Sequence, residues 1–377
     1  MWMFSDGFLL RIIQADPSEI IVRGAMTESA HSKMEIALVG FGAIAELGHW
    51  PALAKLHESA RVVAVVDHDP HRRAAAAKAT GLHKRNLFES VGDLVSTGLP
   101  ADLVIVMLPA SSAPCSITEL VGAGYQVLTE KPIAGDVESA LSVLRNANAA
   151  DAVRVVHNYL YRTDVRAAFS ALTAHDLGPV RLIRFERPDK GYFPGRGIDP
   201  AWRKRTDAGG GCLRDNAYHW FYIAEKFAGA PISSISAMTG GRPAEAEDVA
   251  IIALEHSSGT LTNIVTAWCA KKAEEVLEVH TEDASLRLDG DGGGCHLYWN
   301  SRHIELGAAP RGQSSYQRMY REVLQGFRDG YRSGATLEEA IRIIAIFQAC
   351  YLAQPHIGLK DIEDVLSGAR YEGIRRD

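Results

Sequence analysis

Two short stretches carry residues that could do chemistry. The first is Glu130-Lys131-Pro132, at the mouth of the apolar run Val127-Leu128-Thr129. An acid, a base and a ring stand where a buried strand meets solvent. Alone, they also read as a solvated salt pair followed by a turn proline. The second is Asp215-Asn216-Ala217-Tyr218-His219, behind Gly209-Gly210-Gly211. Asp215 and His219 are four apart, so a helix puts them on one face. An unperturbed imidazole titrates near ~6.5, which suits proton transfer at neutral pH. A neighbouring carboxylate would hold its charged form and raise its pKa. Lys131 adds an ammonium, able to stabilise charge that builds on an oxygen. By themselves Asp215 and His219 are equally a surface hydrogen-bonded pair.

The elements that must position these groups begin at Glu35-Ile36-Ala37-Leu38-Val39, a short apolar strand. Gly40-Phe41-Gly42-Ala43-Ile44-Ala45 follows, and a helical run begins inside it. This is a dinucleotide fingerprint with alanine at the third small position. Gly40 permits the tight turn, a side chain at Gly42 would block a pyrophosphate, and Ala45 lets the helix lie close to the sheet. The phosphates then meet the backbone N–H groups of the helix start, which Phe41, Ala43 and Ile44 frame. The next strand, over 61–66, ends in Asp67, the acid expected about 20 residues beyond such a fingerprint. It would accept hydrogen bonds from the adenosine ribose and repel a 2′-phosphate, so NAD is favoured over NADP. Arg72 and Arg73 blur that choice but read as a solvated face of the next helix.

Helices are expected over 70–79, 116–124 and 137–148, and buried parallel strands over 102–108, at Val127, and over 153–156. Pro109 ends the first of these strands. Alternating strand and helix gives a doubly wound sheet. Its ligand edge collects Leu108, Pro109, Glu130, Lys131 and Asn158, which join Gly40, Phe41, Gly42, Ala43, Ile44 and Asp67 as expected cofactor contacts. Asn158 either bonds a carboxamide or sugar hydroxyl, or caps a turn.

Beyond it, 180–186 reads as a strand. A loop rich in glycine, proline and charge spans 188–199 and leads into Trp202 and Arg203, and this loop is expected to border the substrate. The helix after the glycines has an apolar face of Leu213, Trp220, Ala224 and Phe227. Strands are expected over 232–237, 249–254, 260–268, 276–280, 284–288 and 295–306, with His256-Ser257-Ser258-Gly259 as a hairpin turn. Helices over 316–331 and 337–353 would cover one face of that sheet, and a second subunit the other. Arg184, Arg187, Arg203 and Arg205 read as solvated charges. His280, His296 and His303 show no ligand spacing, and no metal is expected.

The bulk numbers bound these readings. A chain of 377 residues suggests about two domains, here 34–157 and 158–377, with 1–33 as an extension before Met34 or an arm used in oligomer contacts. It is 47% hydrophobic and 23% charged, as a globular protein with a full core should be. A net charge of -6 without blocks of like charge argues against nucleic acid or an anionic membrane as partner. No apolar run approaches the ~18 residues of a membrane span. The five cysteines are scattered and odd in number, and read as buried thiols in a reducing cytoplasm.

With Gly40-Phe41-Gly42-Ala43-Ile44-Ala45, Asp67, Glu130-Lys131-Pro132 and the run from Gly209 to His219 together, the chain resembles the Gfo/Idh/MocA family over about residues 34–370. These are oxidoreductases of the glucose–fructose oxidoreductase and inositol dehydrogenase type. The resemblance implies an N-terminal Rossmann domain and a C-terminal α+β domain. The second domain's open, mainly antiparallel sheet would form a homodimer or homotetramer interface. It implies hydride transfer between NAD, or NADP, and a hydroxyl or keto carbon of a sugar, cyclitol or polyol. Lys131, Asp215 and His219 become the catalytic trio, with His219 as base steadied by Asp215. Lys131 also resembles the residue that touches the nicotinamide ribose. Asn158, Trp202 and Arg203 join the trio as substrate contacts. The chain departs from the family pattern at Ala217, where glycine is usual and the change would reshape the pocket. It departs again at Ala110-Ser111-Ser112-Ala113, where histidine is frequent. Two other functions fit the same frame: an NAD-dependent glycosidase that oxidises its sugar transiently, and a non-catalytic sensor of cofactor or sugar.

Overall fold

β1 (Met34–Val39) alternates between two cores, Ile36 and Leu38 facing one and Ala37 and Val39 the other. A strand buried on both faces belongs in the middle of a parallel sheet. The computed structural model describes residues 33–353 apart from 147, 190–203, 207–208, 242–244, 308–312 and 331–332. In it β2 (Ala60–Val66), β3 (Leu87–Phe88), β4 (Leu103–Val106), β5 (Val127–Thr129) and β6 (Val153–Val155) join β1 in the order β3-β2-β1-β4-β5-β6. Every pairing is parallel. The chain reverses direction across the sheet between β1 and β4, and the crevice at the carboxyl ends there is where such sheets take ligands.

Some of the connecting helices start at side-chain caps. α1 opens as a π-helical turn, Ala45–His49, and continues as Trp50–Ala54. α2 (Pro70–Thr80) is capped by Asp69, whose carboxylate accepts from His71 N, and stops at left-handed Gly81. α3 (Val91–Ser96) begins with a reciprocal Ser90–Asp93 capping box. α4 (Ala113–Gly122), α5 (Val137–Leu144) and α6 (Ala149–Ala152) follow. One helix was expected over 137–148, but it breaks after Leu144. Asn146 Oδ1 accepts from Asn148 N at 3.3 Å, a local bond that competes with the helix ladder.

α7 (Thr163–Ala174) leads to β7 (Val180–Pro188). α8 opens as a second π-helical turn, Leu213–Ala217, and runs on as Tyr218–Ala228. Seven strands follow: β8 (Ile232–Gly240), β9 (Val249–His256), β10 (Leu261–Ala267), β11 (Val276–Thr281), β12 (Ala284–Leu288), β13 (Cys295–Trp299) and β14 (Arg302–Leu306). They form an eight-stranded sheet ordered β14-β13-β12-β11-β7-β10-β9-β8. Only β7 and β10 pair in parallel. The turn at His256–Gly259 closes β9 onto β10 antiparallel, as expected. The single strand expected over 295–306 is instead a hairpin. Asn300 and Ser301 take φ values of 50° and 58°, the double left-handed conformation of a tight two-residue turn.

α7, α8 and α10 (Leu337–Leu352), the last helix among the described residues, cover one face of this sheet. The opposite face leaves Met238, Ile251, Leu261 and Tyr298 exposed. Before α10, α9 (Ser315–Arg328) returns to the first sheet. Its Met319, Tyr320, Val323 and Leu324 share a core with Ile36, Leu38 and Ile105. Among the described residues, no helix is long and apolar enough to cross a membrane. Cys115 and Cys269 are exposed, against the expectation of buried thiols, whereas Cys212, Cys295 and Cys350 are buried.

Candidate active site

The loop after β1 has the shape its glycines require. Gly40 has φ +88°, and a Cβ there would lie 2.8 Å from Met107 O. Leu108 packs on the same side, its Cδ2 being 3.1 Å from that Cβ position. A Cβ on Gly42 would project into the cradle and meet nothing nearer than Arg72 Nη1 at 3.4 Å. Asp67, at the end of β2, is buried. Its Oδ2 accepts from Phe41 N at 2.8 Å and its Oδ1 from Asp69 N at 2.9 Å. The carboxylate therefore fixes the glycine loop as well as marking the ribose end of the crevice. These residues fit a bound dinucleotide: an open cradle at Gly42, a helix start at Ala43 and Ile44, and an acid where ribose hydroxyls would sit. Arg73, read as solvated, is folded back to donate to Asp67 O at 2.6 Å.

β5 ends at the same edge, and its next two residues part company. Lys131 Nζ donates to the backbone O of Asp215 at 2.8 Å and to its Oδ1 at 3.2 Å. Asp215 thus takes two of the three ammonium N–H groups, which leaves one for a substrate oxygen. Glu130 turns the other way. Its Oε1 accepts from His49 Nε2 at 2.8 Å and from Tyr316 Oη at 2.7 Å, and Oε2 accepts from Lys131 N at 3.0 Å. His49 Nδ1 in turn meets the Tyr320 hydroxyl. Burial alone would raise the Glu130 pKa. The His49 and Tyr316 hydrogen bonds and Lys131 outweigh it, so the carboxylate lies below its usual range.

α8 supplies the other catalytic candidates. Its π-helical opening carries Asp215, and His219 follows in the first regular turn. Glu247 holds that opening, its Oε1 accepting from Leu213 N at 3.1 Å and from Tyr351 Oη at 2.9 Å. His219 is buried. Its Nδ1 lies 2.8 Å from Tyr222 Oη, and its ring stacks on Tyr159 at 3.9 Å and 9°. The expectation that Asp215 raises the His219 pKa is overturned. Asp215 is the partner of Lys131, and burial drives the imidazole well below its ordinary 6.5. Lys131, Arg187, His157 and Arg162 push it further the same way. His219 is therefore neutral at physiological pH.

Sequence reasoning gave no part to the aromatic wall around it. His157 stacks on Tyr222 at 4.1 Å and 6°, and its Nε2 lies 3.2 Å from Tyr218 Oη. Lys131 Nζ lies 5.7 Å from the centre of the Tyr218 ring. Tyr159 N donates to Tyr222 Oη at 3.3 Å, and Tyr159 Oη accepts from Arg187 Nη1 at 2.6 Å. His157 and Tyr159 flank Asn158 directly after β6, and Tyr218 and Tyr222 flank His219 on α8. Their nearness to the chosen residues was the signal available. Asn158 is buried and stands inside a short 3₁₀ turn whose cap is His157, so it is not the capping residue there.

Four arginines were read as solvated. Arg187 is not: besides Tyr159 it faces Asp189 and Glu275, each at 3.4 Å. Arg184, an odd number of positions away on β7, points to the open face and pairs with Glu186 and Glu278. Ala217 is fully buried in the core. Trp202, Arg203 and the loop from 190 lie outside the described residues.

Comparison with known proteins places this arrangement. Residues 34–159 match the family described as "Oxidoreductase family, NAD-binding Rossmann fold", and residues 165–287 match the "GFO/IDH/MocA C-terminal domain". A Saccharomyces cerevisiae protein, "Uncharacterized protein YMR315W", is 24% identical over 211 residues, 55% of this chain and 59% of that protein. An inositol 2-dehydrogenase of Leifsonia xyli is 21% identical over 305 residues, 79% of this chain and 85% of that enzyme. The crystal structure of the WlbA dehydrogenase of Bordetella pertussis, in complex with NADH and UDP-GlcNAcA, superposes with a TM-score of 0.71 at 23% identity. That match covers 85% of this chain and 96% of the other. With both halves matched and the glycine loop, Lys131 and α8 in place, the chain belongs to the Gfo/Idh/MocA family and is an NAD-binding oxidoreductase.

Proposed function

We propose that the protein transfers hydride between NAD and a hydroxyl or keto carbon of a sugar, cyclitol or related polyol. The supporting observation is the convergence of Lys131 from the first sheet with Asp215 on α8, 84 positions away, beside a neutral His219. Bound NAD supplies the hydride acceptor or donor. Lys131, held by Asp215, donates its remaining N–H to the reacting oxygen and stabilises the charge that grows there. His219 accepts the hydroxyl proton in oxidation and returns it in reduction. For that role Nδ1–H donates to Tyr222 Oη, leaving the Nε2 lone pair as the base. Glu130 acts indirectly, anchoring the turn that carries Lys131. The Leifsonia xyli relative, named for inositol, motivates the polyol class.

The test is a panel of sugars, cyclitols and their keto forms, followed by absorbance of the reduced cofactor, with NAD and NADP side by side. NAD-linked turnover of at least one polyol is expected. No turnover across the panel with either cofactor would overturn the substrate class.

The sheet face around Met238, Ile251 and Leu261 is the surface we assign to a homodimer or homotetramer contact. Ile251→Glu should reduce the mass measured by light scattering. A wild-type monomer would refute the assignment.

A further inference from the structure

The last hairpin gathers three metal-ligating side chains that the linear sequence keeps apart. Register pairs His296 with Glu305 and Tyr298 with His303 across β13 and β14. All four alternate onto the open face, so His296 has Glu305 directly opposite and His303 diagonally adjacent. His296 Nδ1 lies 2.9 Å from His303 Nε2. One ligand atom from each of His296, His303 and Glu305 falls within 4.8 Å of the others. Tetrahedral ligands at zinc–nitrogen distances of ~2.0–2.1 Å stand roughly 3.3 Å apart, so the two nitrogens need move only a few tenths of an ångström.

We propose that His296, His303 and Glu305 form a divalent transition-metal site, with zinc as the occupant its two imidazoles and one carboxylate favour. Two further features support it. Asp289 Oδ2 lies 3.0 Å from His296 Nε2, so the carboxylate holds the proton on that nitrogen and leaves the Nδ1 lone pair turned to the other ligands. This is the second partner that metal-binding imidazoles characteristically have. Tyr298 stacks on the His303 ring at 4.8 Å and 11°, fixing its plane. Charge also suits a cation. Glu305 and Asp289 are set against Arg287, which stands opposite His296 in register on β12. Three protein ligands leave the fourth zinc position for water. The site is separate from the cleft at Lys131, since β14 is four strands removed from β7, roughly 19 Å at ~4.8 Å per strand.

The test uses the full-length chain without an affinity tag, stripped with chelator, dialysed and titrated with zinc chloride by calorimetry. One equivalent per chain at micromolar affinity or tighter is expected. His303→Ala and Glu305→Gln should each weaken binding at least tenfold, and Asp289→Asn by a smaller factor. The far-ultraviolet circular dichroism of these surface variants should match wild type. Absence of stoichiometric binding, or an isotherm that both His303→Ala and Glu305→Gln leave unchanged, would overturn the site and mean adventitious metal only.

Discussion

Glu130 and Lys131 are neighbours in the chain and opposites in the structure. Glu130 enters a closed cluster with His49, Tyr316 and Tyr320, three side chains drawn from α1 and α9. Lys131 enters a cluster with Asp215 that keeps one donor unspent. The closed cluster satisfies its own members, and a group so satisfied can hold structure but has nothing left for a ligand. The Lys131 side is held by Asp215 without being saturated. Binding chemistry needs that combination, a fixed position and a free valence.

The comparison can be broken most sharply at Lys131. Lys131→Ala should lower turnover by about 10³-fold while leaving the unfolding midpoint nearly unchanged. Turnover near wild type would remove Lys131 from the chemistry. Glu130→Ala should do the reverse. It leaves His49 buried without its carboxylate, at a cost of about 3 kcal/mol in denaturant unfolding, with turnover of the folded fraction within roughly tenfold of wild type. His219→Ala should lower turnover by about 10²-fold, most visibly in the oxidation direction. Its low pKa also moves the acidic limb of the pH–rate profile below the ordinary histidine value of 6.5, and a limb at or above that value would contradict a neutral imidazole.

The fourth expectation concerns the wall both sides share. Burial, with Lys131 and Lys226, lowers the His157 pKa from 6.5 to about 3. As pH falls, the unfolded chain takes up the proton first. Stability from this residue is therefore whole above the unfolded value and drains between about pH 6.5 and about pH 3. By pH 5 the loss is about 2 kcal/mol, and His157→Gln should flatten that part of the stability profile. The smallest effect is Tyr316→Phe, which removes one of the hydrogen bonds on Glu130 and should cost about 1 kcal/mol in the same unfolding assay.

The parts legible in the sequence were those written locally. The strand, glycine turn and helix from 35 to 45, and the hairpin at Gly259, follow from period and turn chemistry over a dozen residues. Lys131 and α8 were legible as chemistry because the residue types were conspicuous. What joined them was not. The His49–Glu130, Tyr316–Glu130 and His49–Tyr320 contacts span 81, 186 and 271 positions, beyond any periodicity. The pairing of Asp215 was misassigned because four-residue spacing describes a regular helix, and this helix opens with a π-helical turn. The hairpin at Asn300-Ser301 escaped notice because its turn contains no glycine, and asparagine supplies the left-handed conformation instead.

The return of α9 to the first sheet has a temporal meaning. Met319, Tyr320, Val323 and Leu324 seal the layer begun by Ile36 and Leu38, so β1 waits for a helix made long after it. Nascent chains released before residue 315 should stay protease-sensitive and recruit chaperones, however perfect their glycine loop.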